Sequence, residues 1–388
     1  MSGNKKLCAG LMFKDRRTDC GFAGKPRLCL NTRVTGIPET MQAAVYRGVN
    51  EVRIEELPVP RIGQRELLVR VASCGVCPTD IKKIHYGTVP PPRVFGHETS
   101  GTIVKAGGHV EGFSVGDRVG LHHHIPCGTC HACRHAAFAQ CAQYKRTGIT
   151  AGFEPAGGGY AEYVRVMHSC LPGVVKIPRR NSFSEGAMLE PVNTVLKAIR
   201  RLNLIKRDVV MVCGQGPIGL IFTRLLYLFG IRVIATDLMP KRLQLATKMG
   251  AKSTSKPGQK KLANEIDRMT RGRGLDAAVI AVPIDAAVEE ASRMLRGGGQ
   301  ILLFAHTRRG TMSEIDLSNV CVDEKDLMGS YSADFTLQQE VARLIFRRQF
   351  DVRPLITHRF PLSETARAVE LASSPTVDSL KVIVDQTA

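Results

Sequence analysis

The chain contains no tryptophan, and Phe, Tyr and Trp together make up only 5% of its 388 residues. Its basic residues are dispersed, and no basic run is interleaved with aromatics in the way that stacks single-stranded nucleic acid. Acidic residues are also in short supply: 35 Asp and Glu face 54 Lys and Arg, for a formal charge of +19. A surplus of that size attracts anionic ligands, and it keeps a basic, zinc-bearing nucleic-acid-binding or scaffold protein open as one reading. Long hydrophobic runs are missing too. The most apolar stretch, Pro217 to Gly230, is interrupted by Arg224 and falls short of the roughly 20 residues a membrane span needs. No signal peptide is visible, so the twelve cysteines do not read as a disulfide framework. Their clustering favours a reducing compartment, the cytoplasm. No internal repeat or low-complexity segment stands out.

A chain this long suggests two domains. Residues 1–40 hold eight Lys and Arg against three Asp and Glu, sustain neither helix nor strand period, and read as a disordered extension. Residues 41–195 read as β-rich, with short apolar runs such as ELLVRVAS and SGTIVKA punctuated by Gly and Pro. From about 196 to 335 the pattern changes. Strand-like runs (DVVMVCG, RVIATD, DAAVIAV, GQILLFA) alternate with helix-like ones (PIGLIFTRLLYLFG, MPKRLQLATKMG, AAVEEASRMLR). Such alternation predicts an α/β domain with a parallel sheet and crossover helices. Residues 336–388 carry a helical segment and a last strand, LKVIVD, expected to return to the first domain.

Gly214, Gly216 and Gly219 form G-x-G-x-x-G, with Pro217 and Ile218 completing the turn. The motif follows an apolar strand, opens a helix and leads to a second strand closing on Asp237, the context of a dinucleotide-binding fingerprint. Gly214 allows the tight turn, Gly216 lets backbone amides approach a pyrophosphate, and Gly219 lets helix and strand pack closely. Asp237 at the strand end accepts ribose hydroxyls and repels a 2′-phosphate, which favours NAD over NADP; Lys241 and Arg242, on the next helix, soften that repulsion.

Two metal constellations precede this loop. Cys127, Cys130, Cys133 and Cys141 are spaced C-x2-C-x2-C-x7-C, and four thiolates so gathered fit one closed tetrahedral zinc. The spacing departs from that of bacterial ferredoxins, which weighs against an iron–sulfur cluster. His122, His123, His124, His131 and His135 nearby are expected to be solvated loop residues. Cys77, with His97 and Glu98, offers a mixed donor set that leaves a coordination position open, where zinc lowers the pKa of a bound alcohol or water. Cys74 reads as a buried thiol.

These residues resemble the zinc-containing medium-chain alcohol dehydrogenases over about residues 41–388. GHETSGTIVKAGGHV is similar to that family's zinc signature, through Gly96, His97, Glu98, Gly101, Gly107 and Val110. The resemblance implies a GroES-like β-rich catalytic domain, a Rossmann doubly wound parallel-sheet domain, and a cofactor between them. It implies a structural zinc at the four cysteines and a catalytic zinc at Cys77, His97 and Glu190, with Glu98 near or exchanging. Glu190, in LEPVNTVLKAIR, stands where alcohol dehydrogenases of the classical branch carry Cys and where the sorbitol and threonine dehydrogenase branch carries Glu. Thr194 is similar to the residue that packs at the nicotinamide, as are the loops after Ala281–Val282 and Phe304. Thr79 matches the hydroxyl that starts the family's proton relay, and Asp80 the carboxylate that orients the zinc histidine. One departure is plain: the relay histidine of that branch is replaced by Lys82, so the relay ends at Lys82, at His85 or in solvent.

The expected activity is reversible hydride transfer between a secondary alcohol, polyol or hydroxy-amino-acid-like, and NAD, with two zincs per chain. An NADPH-dependent carbonyl reductase is the alternative enzyme. A small-molecule alcohol or carbonyl partner, no membrane, and a homodimer or homotetramer complete the expectations.

Overall fold

The computed structural model describes residues 36–387 apart from 147, 154–156, 306–309, 311 and 313–314, together with the side chain of 145. Nearly all of the expected N-terminal extension therefore lies outside the described residues. From Pro38 onward the described residues belong to one unit.

The Rossmann half follows from its strand composition. The run Val209–Cys213 is apolar at every position and buried at every position, the signature of a parallel strand covered on both faces. It lies centrally in a six-stranded, all-parallel sheet whose order is Ser253–Ser255, Arg232–Thr236, Val209–Cys213, Leu275–Ile280, Leu295–Leu303, Asp326–Gly329. The chain winds outward in one direction from Val209–Cys213, then returns beside it at Leu275–Ile280 and winds the other way. The direction reverses between these two strands, and in open α/β sheets ligands bind in the crevice beyond the strand ends at that point. Both strands end there, at Cys213 and Ile280, and Gly214 and Ala281 follow.

The other half is β-rich. An antiparallel hairpin, Thr40–Gly48 with Glu51–Pro58, turns through Asn50 at φ 60°; Asn tolerates that left-handed conformation better than most residues. A larger sheet is built around Leu67–Gly75, which pairs antiparallel with Glu98–Ala106 and with Tyr163–Val166. The chain's last strand, Lys381–Asp385, pairs antiparallel with the end of Leu67–Gly75. The sheet thus contains residues from both ends of the sequence, with the parallel-sheet half inserted between them.

The helix Leu189–Ile199 runs between the halves and is buried along almost its whole length. Asn193 on it donates to Gln338 Oε1 and to the Asp334 carbonyl, and accepts from the Asp334 amide, so the helix is pinned to the segment that returns from the parallel sheet.

Candidate active site

A cavity of about 440 Å³ lies between the two halves, lined on one side by Cys77, Thr79, His97 and Glu190 and on the other by Gly216, Pro217, Ile218 and Ala281. The fold gathers these residues from distant places. Cys77 precedes the helix Pro78–Tyr86. His97 lies just before the strand Glu98–Ala106. Glu190 stands in the first turn of Leu189–Ile199 and is only 6% exposed. Ligand atoms of Cys77, His97 and Glu98 lie within 4.8 Å of one another, and the same holds for His97, His123 and Glu190.

His97 is oriented from behind. Its Nδ1 meets Asp80 Oδ2 at 3.0 Å, and that oxygen also accepts the Gly96 amide. This leaves Nε2 as the outward nitrogen, the arrangement by which a carboxylate sets a metal-binding imidazole. Burial alone would raise the Asp80 carboxyl, but the charges of His97 and Lys83 outweigh it, and the group lies well below the usual carboxylate range. Glu98 is tied down differently. Lys381, itself buried, donates to Glu98 Oε1 at 2.6 Å and to the Val76 carbonyl at 2.9 Å. Burial raises the carboxyls of Glu98 and Glu190.

The histidine run departs from its expectation. His122 and His123 are not solvated: they are 1% and 5% exposed, in the wall of the site. They follow the strand Arg118–Gly120 and the buried Leu121. His122 Nδ1 contacts Gln338 Oε1 at 3.3 Å, His123 Nε2 lies 3.4 Å from Glu190 Oε1, and His124 stacks on Tyr144 with ring centroids 4.8 Å apart. Burial lowers all three imidazoles, so they are neutral near pH 7. His131 and His135 are exposed, as expected. His85 faces away: its Nδ1 contacts Asn50 Oδ1, and it is not among the residues lining the cavity. Lys82 does line it, and burial lowers its ammonium.

On the cofactor side, Gly214 adopts φ 87°, and a Cβ there would meet Val282 Cγ1 at 2.3 Å. A Cβ on Gly219 would lie 1.8 Å from the Gly214 carbonyl oxygen, so helix Pro217–Leu228 could not seat against the turn. Gly216 faces open space, its nearest neighbour Arg242 Nη1 at 4.0 Å. That combination, two glycines forced by packing and one opening on a cavity at a helix N-terminus, suits a phosphate cradle. Asp237 is engaged in the turn: Oδ2 accepts the Gln215 amide at 2.6 Å and Oδ1 the Met239 amide at 2.8 Å, while Arg242 stands 4.0 Å away. Gly214, Gly219, Asp237 and Val282 therefore shape the turn from behind, whereas Gly216, Pro217, Ile218, Ala281 and Arg242 line the cavity. Thr194 lines it too, its hydroxyl donating to the Pro191 carbonyl.

The four cysteines form a separate lobe. Cys127 Sγ and Cys130 Sγ lie 3.9 Å and 3.6 Å from Cys133 Sγ, and the Cys127 amide meets Cys141 Sγ at 3.4 Å. A tetrahedron with metal–sulfur bonds of about 2.3 Å has sulfur–sulfur edges of about 3.8 Å, so these spacings fit one four-coordinate ion. Amides of Thr129 and Cys130 lower the Cys127 thiol to about 6, whereas burial and its neighbouring thiols raise that of Cys133 to about 12. The lobe reaches the body through Tyr144, whose Oη lies 2.5 Å from Ser332 Oγ, and through Phe138 against Phe335. Cys74 stays out of both sites, buried beside Thr99 with its thiol raised to about 12 by burial.

Sequence reasoning missed three contributors: His123, Tyr144 and Lys381. Only Lys381 leaves a trace, a basic residue at the head of the apolar run VIV.

Residues 63–179 match the alcohol dehydrogenase GroES-like domain and residues 217–347 the zinc-binding dehydrogenase model. The chain is 30% identical to a sorbitol dehydrogenase of Bacillus subtilis, across 90% of this chain and 98% of that protein. It is 28% identical to an L-threonine 3-dehydrogenase of Alteromonas mediterranea, across 86% and 95%. A zinc-binding dehydrogenase of Sinorhizobium meliloti, solved with NADP, superposes with a TM-score of 0.80 at 26% identity, covering 90% of this chain and all of that one. With the mixed donor set facing a glycine turn across one cavity, these likenesses define a zinc-dependent alcohol oxidoreductase. The chain belongs to the zinc-containing medium-chain alcohol dehydrogenases, and within them to the branch of the sorbitol and threonine dehydrogenases.

Proposed function

We propose that the enzyme interconverts a secondary alcohol, within a polyol or a hydroxy-amino-acid-like molecule, and its ketone, using NAD and a zinc held by Cys77, His97 and Glu190 with Glu98 in reach. The observation that carries this reading is that Cys77 gathers with His97 and Glu98, and Glu190 with His97 and His123, on the wall of a cavity whose opposite wall is the glycine turn. Sorbitol and threonine, the substrates in the names of two relatives, are both secondary alcohols and support the substrate class. When bound, zinc would polarise the substrate oxygen and the nicotinamide would exchange hydride with the carbon.

The protein's own residues do the rest. Asp80 holds His97 in the tautomer that offers Nε2. Thr79, beside Cys77 on the cavity wall, takes the proton leaving the substrate hydroxyl. Lys82, one turn further along the same helix and also on the wall, passes it outward; its lowered ammonium suits a proton carrier. Val76, Phe95 and Phe304 give the cavity apolar walls that keep bulk water from the reacting carbon. Thr194 positions the nicotinamide. Cys127, Cys130, Cys133 and Cys141 would hold a second zinc through four sulfurs, which would fix the lobe that carries Tyr144 to the cavity.

For the cofactor, the Asp237 carboxylate beside the turn favours NAD. A reductase running on NADPH is the second reading, and one observation favours it: Arg242 stands 4.0 Å from that carboxylate and offsets its charge. The S. meliloti relative solved with NADP belongs to the same argument. Initial rates with both cofactors separate the two.

The assembly is a homodimer through the parallel sheet. Asp326–Gly329 is its edge strand, and Leu317, Val320, Val322 and Leu327 on and beside it are exposed, an apolar strip that pairing would cover. The thiol-rich metal site suits the cytoplasm.

The test is NAD reduction against a panel of polyols, secondary alcohols and L-threonine, with zinc counted per chain. Cys77→Ser should abolish turnover and leave NAD binding intact. Undiminished turnover in that variant removes the catalytic-zinc assignment.

A further inference from the structure

Cys77, His97, Glu98, Glu190 and His123 crowd one wall of the cavity, one donor more than a four-coordinate metal can take even with no substrate bound. They fall into two trios that share His97: Cys77 with His97 and Glu98, and His97 with His123 and Glu190. The trios differ in chemistry and in restraint. The first contains a thiolate, and its carboxylate is held by buried Lys381. The second contains two imidazoles and a carboxylate, a donor set equally suited to zinc. His123 is 5% exposed, its Nε2 lies 3.4 Å from Glu190 Oε1, and its ring centroid lies 5.2 Å from that of His97. His122 turns instead to Gln338, and His124 to Tyr144. Of the three consecutive histidines, His123 alone joins a donor group among the described residues.

We propose that His123 is an exchanging ligand of the active-site metal. The metal has two positions that pivot on His97: one bearing the Cys77 thiolate and one without it, held by His97, His123 and Glu190. Each trio leaves a coordination position free, whereas binding by all donors at once would close the site to substrate. Movement between the two is therefore a way to admit substrate and release product without losing the metal. The proposal rests on the reading that a metal works at His97.

Cobalt(II) in place of zinc reports both positions, because a thiolate ligand adds a charge-transfer band and an imidazole does not. The wild-type chain should hold two cobalt ions, one at the four-cysteine lobe. Cys77→Ser should still hold two, with the charge-transfer intensity of one thiolate missing. His123→Gln should hold two, with greater charge-transfer intensity than wild type and at least about tenfold weaker retention of the second ion against a chelator. The double variant should hold one. The four-cysteine cobalt spectrum, present in every variant, reports that the fold is intact. Loss of the second ion from Cys77→Ser alone, or an unaltered spectrum and affinity in His123→Gln, overturns the proposal while leaving the catalytic metal in place. A wild-type chain that holds a single ion overturns the metal reading beneath it as well.

Discussion

Replacing Lys381 by Met strands the Glu98 carboxylate in the interior. The two side chains are 5% and 2% exposed, and removing one partner of so buried a pair costs about 3–5 kcal/mol, because an uncompensated charge remains. Glu98→Gln should cost a comparable amount, with the ammonium left alone. The double variant Lys381→Met/Glu98→Gln removes both charges, so its cost should fall short of the sum of the singles by about 2–3 kcal/mol. Gly75→Ala provides an independent arm. A Cβ at Gly75 would lie 1.9 Å from Glu98 Oε2 and 2.8 Å from Lys381 Cε, so it should disrupt the pair without altering either charge. The sign of the pH dependence also follows. Burial raises the Glu98 carboxyl, and Lys381 opposes that rise. In Lys381→Met the folded-state value climbs further above the unfolded one. The folded state then holds a proton that the unfolded state releases, and the variant loses stability as pH rises from acid toward neutral. Urea unfolding followed by far-ultraviolet circular dichroism measures the wild type and all four variants, the chain having no tryptophan to follow. A double variant whose cost equals the sum of the singles within about 0.5 kcal/mol refutes the reasoning.

Asp237→Ser should shift the ratio of kcat/KM values toward NADP and weaken both cofactors, since the carboxylate also holds the Gln215 and Met239 amides; unchanged selectivity in initial-rate measurements counts against its ribose role. Cys133→Ser should release one of two zincs and lower kcat/KM for the alcohol about tenfold or more through misplacement of Tyr144, with NAD affinity unchanged by titration; equal losses for both ligands would contradict this division. Leu327→Lys, which sets a charge on the open edge of the parallel sheet, should convert a dimer to monomers by light scattering, and an unaltered mass would place the subunit contact elsewhere.

The parallel-sheet half was legible because its central strands are mostly apolar and two glycines of its turn are forced by packing. Val209–Cys213, Arg232–Thr236 and Leu275–Ile280 all stood out by composition. The polar strand Ser253–Ser255 and the exposed strand Asp326–Gly329 did not. Both lie at sheet edges, where one flank is open and no apolar run is required. The helix Lys260–Thr270 escaped notice for a similar reason: its charged face outnumbers the few buried positions Leu262, Ile266 and Met269. At the site, motif spacing reached Cys77, His97 and the four cysteines, but partners supplied by the fold left little mark. A triple histidine reads as polar loop until the burial of His122 and His123 is seen, and Lys381 lies 283 residues from the carboxylate it neutralises.

That separation bears on how the protein is made. At roughly 5–20 residues per second of synthesis, Glu98 leaves the ribosome about 15–60 seconds before Lys381 does. Through that interval Leu67–Gly75 lacks the terminal strand that pairs with its end, and an unpaired strand invites association with other chains. Lys381 and the strand it opens emerge late, so a chain cut short before Lys381 would spare the dinucleotide fold yet leave Glu98 without its counter-ion. A nascent chain of this kind depends on whatever shields its open sheet during the wait.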